Sequence, residues 1–191
     1  MTLCNLSTYK GNRPAMIERN VLDALAHLAE CESVEIQRCA SLALYNFSCD
    51  LTSLILIKDA GAPPTLIKLC ARDDLDCKRY SVMTLCNLAS SELTRESAIR
   101  GGGLQTLIKV ANERDLECRH YATIALSNIA SAKPKMQIQV LVHGGFAPID
   151  ELIRDRSPSA MESRRIAAMA VCNLTANTGN HEFLMKDSAH C

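Results

Sequence analysis

Asparagine recurs on a ruler. Asn5, Asn46, Asn87, Asn128 and Asn173 are separated by 41, 41, 41 and 45 residues. The phrase around them is Met-Thr-Leu-Cys-Asn-Leu at residues 1–6, repeated letter for letter at 83–88 and more loosely at the other positions. A carboxamide offers two N–H donors and a carbonyl acceptor, so it can pair with both the C=O and the N–H of an extended main chain. Asparagine is a poor residue for a helix interior, so five recurrences need a reason. Two readings stand: the amides grip a bound main chain, or they cap their own helix and tie neighbouring repeats together. A second row lies eight residues earlier, at Arg38, Arg79, His120 and Arg165, preceded by Gln37, Lys78, Arg119 and Arg164. Eight residues back is about −80° around a helix, so this row flanks the asparagine face. A basic row beside a peptide groove favours acidic segments and makes binding salt-dependent. The competing reading is pairing within the helix, because Glu35, Asp76, Glu117 and Glu162 each stand three residues ahead.

No other constellation of reactive residues emerges. The five histidines, His27, His120, His143, His181 and His190, show no HExxH or comparable metal spacing. There is no GxSxG, and Gly101-Gly102-Gly103 lacks the lysine and the preceding strand of a phosphate loop, so it reads as a turn. Ten cysteines occur without a CxxC pair. Cys39, Cys86, Cys118 and Cys172 fall within apolar helical patterns, and no secretory segment leads the chain. Buried reduced thiols point to the cytoplasm or nucleus. Acidic and basic side chains balance at 21 each, which favours neither nucleic acid nor a membrane surface. No apolar run is long enough to span a bilayer, Thr2 excludes a myristoylation signal, and Cys191 does not fit a prenyl signal. The expectation is a non-enzymatic chain with no catalytic residue, cofactor, metal, small-molecule substrate, nucleic-acid partner or membrane insertion.

The elements that position the rows are helices. Ile36, Cys39, Ala40, Ala43, Leu44 and Phe47 form one apolar stripe at helical spacing; Cys118 to Ile129 and Ile166 to Leu174 repeat it. Ser33, Asp74 and Asp115 stand ahead of these helices as N-caps, with Glu35, Asp76, Glu117 and Glu162 in the first turns. Shorter helices precede them at Leu22 to Leu28, Pro64 to Cys70, Leu104 to Val110 and Pro148 to Ile153. Each follows a turn signal: Asn20, Gly61, Gly101-Gly102-Gly103 or Gly144-Gly145. Brief segments such as Leu51 to Lys58 and Leu93 to Arg100 complete three helices per period. The 45-residue interval adds one residue before Gly144 and three in the Asp155 to Ser159 loop. One array over residues 1–191 is predicted: a partial repeat 1–8, repeats 9–49, 50–90, 91–131 and 132–176, and a partial repeat 177–191.

A Gly-Gly-like turn, a short Leu-Ile-Lys-Leu helix and a long helix ending Ala-Leu-x-Asn-Leu-Ala resemble the armadillo repeat over essentially the whole chain. The resemblance implies an all-α solenoid, a right-handed superhelix whose third helices line a concave groove. It further implies that the asparagines hold the backbone of a bound extended peptide. Import-receptor members of the family carry tryptophans four residues before the asparagine. Here Met1, Leu42, Met83, Ile124 and Met169 stand there, able to receive apolar side chains or to pack on the next repeat. The chain therefore resembles catenin and vacuolar-adaptor arrays more closely, and the expected partner is an acidic or mixed acidic-apolar protein segment. The alternatives are a nuclear-transport adaptor, or a structural component of a cytoskeletal or ciliary assembly that binds through its convex surface. Pumilio-type RNA binding is disfavoured, since only Tyr80 and Tyr121 approach a base-stacking row. Met1 corresponds to Met83 inside a third helix, so a slice of a longer protein is expected.

Overall fold

Three of the long helices start at a side chain that accepts a hydrogen bond from a backbone N–H, as the sequence predicts. Ser33 receives the N–H of Ile36, Asp74 that of Cys77, and Asp115 that of Cys118. These bonds satisfy one of the orphan donors of each first turn. The computed structural model describes residues 2–157 and 160–188. Met1 of the apolar row, Pro158 and Ser159 of the inserted loop, and His190 and Cys191 lie outside them.

The order is α1 (Thr2–Thr8), α2 (Arg13–Ile17), α3 (Val21–Leu28), α4 (Val34–Ser48), α5 (Leu51–Asp59), α6 (Ala62–Cys70) and α7 (Leu75–Ser90). It continues with α8 (Arg95–Ile99), α9 (Gly103–Ala111), α10 (Leu116–Ala130), α11 (Pro134–Val142), α12 (Phe146–Arg154), α13 (Met161–Ala176) and α14 (His181–Ser188). No strand occurs among the described residues. The predicted three-helix periods are thus α2–α4, α5–α7, α8–α10 and α11–α13. The turn into each second helix needs a left-handed residue, and Asn20, Gly61, Gly102 and Gly144 supply it with φ of 54°, 72°, 92° and 78°.

The chain divides into two compact units, residues 1–106 and 107–191. In the first, α4 packs beside both α1 and α7, and α3 and α6 lie against α4 and α7. In the second, α10 packs beside α13, and α12 lies against both. Close approach rests on small residues six and three positions before the asparagine. Ala40 and Ala43, Ser81 and Thr84, Ala122 and Ala125, and Ala167 and Ala170 are all buried. One residue after the asparagine, Phe47, Leu88, Ile129 and Leu174 are fully enclosed. Truncating such a side chain to alanine costs about 2–5 kcal/mol.

The C-terminal ends of the third helices use a pattern that the sequence reading missed. Seven and eight residues after the asparagine, polar side chains reach back to the last carbonyls. Asn12 and Arg13 donate to the carbonyls of Leu6 and Ser7, at 3.0 and 3.1 Å. Thr94 and Arg95 donate to Leu88 and Ala89, at 2.7 and 2.8 Å. Asn180 donates to Leu174 at 3.0 Å, and Nε2 of His181 lies 2.8 Å from the carbonyl of Thr175.

Asp74 combines two tasks, since it caps α7 and also receives the Arg38 guanidinium from α4. The Arg38 guanidinium beside it holds its carboxyl well below the usual carboxylate range, helped by the Cys77 N–H. A depressed folded-state pKa contributes stability above the unfolded value of about 4, which is lost as the pH falls through the folded value. Asp74→Ala is expected to lose about 1–2 kcal/mol at neutral pH. Urea denaturation should show the gap between variant and parent narrowing below about pH 4.

Candidate functional site

In the first unit α1, α4 and α7 present Asn5, Asn46 and Asn87 at matching positions. Asn5 is exposed, and Asn46 and Asn87 are half-buried. Nδ2 of Asn46 donates to Oγ of Ser7 at 2.9 Å, and Nδ2 of Asn87 donates to Oγ of Ser48 at 2.8 Å. Each hydroxyl passes its own proton to its helix: Ser7 to the Cys4 carbonyl and Ser48 to the Tyr45 carbonyl, both at 2.7 Å. One N–H of each amide is therefore tied to the preceding repeat. The second N–H and the carbonyl oxygen have no partner among the described residues. The inter-repeat tie thus consumes one donor and leaves one donor and one acceptor with fixed orientation.

Side chains around these amides are apolar and aromatic. Leu42 is half-buried and Met83 is buried. The rings of Tyr45 and Tyr80 stack between α4 and α7, with centroids 6.1 Å apart and planes at 25°. Arg38 is not paired with Glu35 in its own helix. Its Nε donates to both oxygens of Asp74, at 3.1 and 2.9 Å, and its Nη2 to Oδ2. Glu35 instead accepts from Oγ of Ser33 at 3.0 Å. The reason is geometric: the carboxylate at the N-terminus of α7 matches the planar guanidinium fork. Arg79 is half-buried and is not a free cation.

In the second unit Asn128 is half-buried on α10 and Asn173 exposed on α13. Neither amide has a hydrogen-bond partner among the described residues. His120 is half-buried, with Nε2 3.1 Å from Oγ of Ser163 and its ring edge-on to Tyr121 at 5.4 Å. Burial pushes the imidazole below its usual pKa despite the opposing pull of Asp155 and Glu117, which disfavours its cationic form. Arg165 does form the pair expected within its helix, through Nε and Nη2 to Glu162. Its Nη1 lies 3.4 Å from the sulfur of Met169, which is half exposed. Arg164 donates to the Asp155 carbonyl at 3.1 Å. His120 and Tyr121 also face an open cleft of 940 Å³ shared with Leu116, Pro148 and Leu152.

Among the described residues no group of three or more His, Cys, Asp or Glu could hold a metal ion, and no helix is long and apolar enough to cross a membrane. The cysteines are less uniformly enclosed than their apolar patterns suggest. Cys86 and Cys118 are buried, Cys39 is half-buried, and Cys172 is exposed on α13.

No protein-family profile and no curated protein sequence matches the chain. Solved structures do. The chain is similar to computationally designed armadillo repeat proteins for modular peptide recognition, with a TM-score of 0.87 and 22% identity over 98% of this chain and 79% of that one. It is also similar to a designed armadillo repeat protein in complex with the peptide (KR)4, with a TM-score of 0.84, 23% identity and the same coverage. The fold is that of an armadillo-type repeat array.

Within this armadillo-type array, the residues that sequence reasoning missed are the partners rather than the rungs. Ser7 and Ser48 stand two residues after Asn5 and Asn46, so an Asn-x-Ser triplet marks a repeat that can hold the next repeat's asparagine. After Asn87 and Asn128 the corresponding residues are Ala89 and Ala130, which have no hydroxyl.

Two measurements check this geometry. Ser48→Ala and Asn87→Ala should each cost about 1 kcal/mol by urea denaturation. The double variant should cost little more than Ser48→Ala alone, which already removes the shared bond together with the one to the Tyr45 carbonyl; additive losses would show that the shared bond is not formed. His120, with its folded pKa lowered, stabilises the fold above its unfolded value of about 6.5 and loses that contribution as the pH falls through the folded value. His120→Gln should therefore flatten the stability profile below about pH 6.5.

Proposed function

We propose that the chain is a non-enzymatic scaffold that binds an extended segment of a partner protein on the faces of its third helices. The observation that carries this reading is the half-used amide. Asn46 and Asn87 are each held by a serine of the preceding repeat, with one donor and one acceptor left over. An extended main chain presents the complementary pair. The designed armadillo repeat proteins of similar fold are made for modular peptide recognition, which supports the same use here.

The side chains refine the partner. Two such amides, with two bonds each, give about 4 kcal/mol at about 1 kcal/mol per bond, whereas a micromolar complex needs about 8 kcal/mol. Side-chain recognition must supply the rest. Exposed Met169 and half-buried Leu42, Ile124 and Tyr121 suit apolar side chains. Acidic side chains are best read at Arg165, because its pair with Glu162 is exposed on both sides and easily exchanged. Arg38 is a poorer reader, since Asp74 occupies its fork while capping α7. The proposed ligand is accordingly a mixed acidic-apolar segment rather than a uniformly acidic one. A basic segment is the second reading, favoured by the exposed first-turn carboxylates Glu35, Asp76, Glu117 and Glu162 and by the (KR)4 complex of a similar fold.

Fluorescence anisotropy with acidic-apolar, basic and neutral extended peptides, at low and moderate salt, tests the proposal. Binding of the acidic-apolar peptide should weaken about 10- to 30-fold for Asn46→Ala or Asn87→Ala, each of which removes two bonds. Arg165→Glu should weaken that peptide and spare the neutral one. Binding confined to basic peptides would select the second reading, and binding that survives Asn46→Ala with Asn87→Ala would overturn the amide role.

A further inference from the structure

Arg13 and Arg95 hold the same place in their repeats, eight residues after Asn5 and Asn87, but use their guanidinium groups differently. Arg95 closes α7 with two bonds, Nε to the Ala89 carbonyl at 2.8 Å and Nη2 to the Ser90 carbonyl at 3.3 Å. Arg13 closes α1 through Nε alone, to the Ser7 carbonyl at 3.1 Å, although it is only 8% exposed. Its Nη groups have no partner, and no carboxylate pairs with its charge, among the described residues. These donors still reach solvent and are matched by no protein acceptor among the described residues, which leaves them available to an anion.

A pocket is present to hold one. Arg13 lines a cavity of 230 Å³ with Lys10, Pro14, Cys49, Asp50 and Ser53, at the C-terminal ends of α1 and α4 just past Asn5 and Asn46. Lys10 is exposed and adds a second positive charge. Asp50 opposes them, but its Oδ2 is committed to capping α5, accepting from the N–H and the hydroxyl of Ser53 at 3.1 Å each. Two cations face one carboxylate, so the pocket is net positive.

We propose that this pocket binds a phosphate monoester, carried by a phosphorylated serine or threonine of the extended partner. A phosphate brings close to two negative charges and three acceptor oxygens, which match the paired Nη donors of an arginine fork and the three donors of an ammonium. A carboxylate would use fewer of these donors and leave more positive charge unmatched. The cavity is below the size of ordinary small-molecule sites, which suits a single phosphoryl group and not a nucleotide. The phosphopeptide occupant rests on the peptide-binding reading above; the anion site does not.

The experiment has two arms. In the first, inorganic phosphate is titrated into the ¹⁵N-labelled chain, with chloride at matched ionic strength as control. The Arg13 Nε–H and Ser53 N–H resonances should shift saturably with phosphate, and Lys10→Ala should weaken the response without unfolding the chain, because Lys10 is exposed. No saturable shift, or the same shift with chloride, would overturn the anion site whatever the peptides do. In the second arm, anisotropy compares one peptide bearing serine or phosphoserine. About tenfold tighter binding of the phosphorylated form, lost in Lys10→Glu while the unphosphorylated peptide is unaffected, supports the proposal. Saturable phosphate shifts without a phosphopeptide advantage overturn the phosphopeptide occupant in favour of free phosphate. Phosphate shifts with no peptide binding of either form would defeat the peptide-binding reading while leaving the anion site standing.

Discussion

A third helix in this chain cannot bury its apolar stripe by itself. Ala43, Leu44 and Phe47 of α4 become solvent-free only because α1, α3 and α7 surround them, and Ala125, Leu126 and Ile129 of α10 lie within the packing of α12 and α13. The helices come close enough because the contact positions are alanine, serine or threonine. Larger side chains there would separate them and open the stripe to water. Caps, turns and polar ties follow from this constraint, since helix ends held so close must have their backbone groups satisfied without bulk.

That constraint explains why the polar residues at the repeat junctions have two tasks. Ser48 closes a hydrogen bond to its own helix and orients Asn87 of the next. Asp74 caps α7 and holds Arg38 of the previous long helix. Orientation of the amides and stability of the stack are therefore coupled within the first unit. Under the proposed function, amides fixed before a ligand arrives avoid part of the ordering cost of association. The same economy reduces the charge available to a ligand. Of the basic row, Arg38 and Arg165 already hold carboxylates, and burial disfavours the charged form of His120.

The fold was legible because it is written in local, periodic terms. Apolar stripes at helical spacing, side-chain caps at Ser33, Asp74 and Asp115, and left-handed turns at Asn20, Gly61 and Gly144 each depend on a few neighbouring residues and a period that repeats. The asparagine ladder was legible for the same reason. Its alternative as an inter-repeat tie was also visible in outline, and Asn46 and Asn87 form that tie while keeping a second donor and an acceptor, because an amide has more than one hydrogen-bonding group.

By itself the sequence determined helix positions, their caps, the turn residues and which residues recur on the face of each third helix, since backbone sterics and side-chain periodicity act over one or two turns. Tertiary structure decided the partners. Arg38 lies three residues from Glu35 and 36 from Asp74, yet it pairs with the distant acid because stacking brings a capping carboxylate into line with its fork. Arg13 and Arg95 look equivalent in sequence, yet Arg95 engages two carbonyls while Arg13 engages one and keeps its Nη donors unmatched beside a pocket. Spacing along the chain fixes which face a charge occupies; only packing fixes how much water it keeps and which group neutralises it.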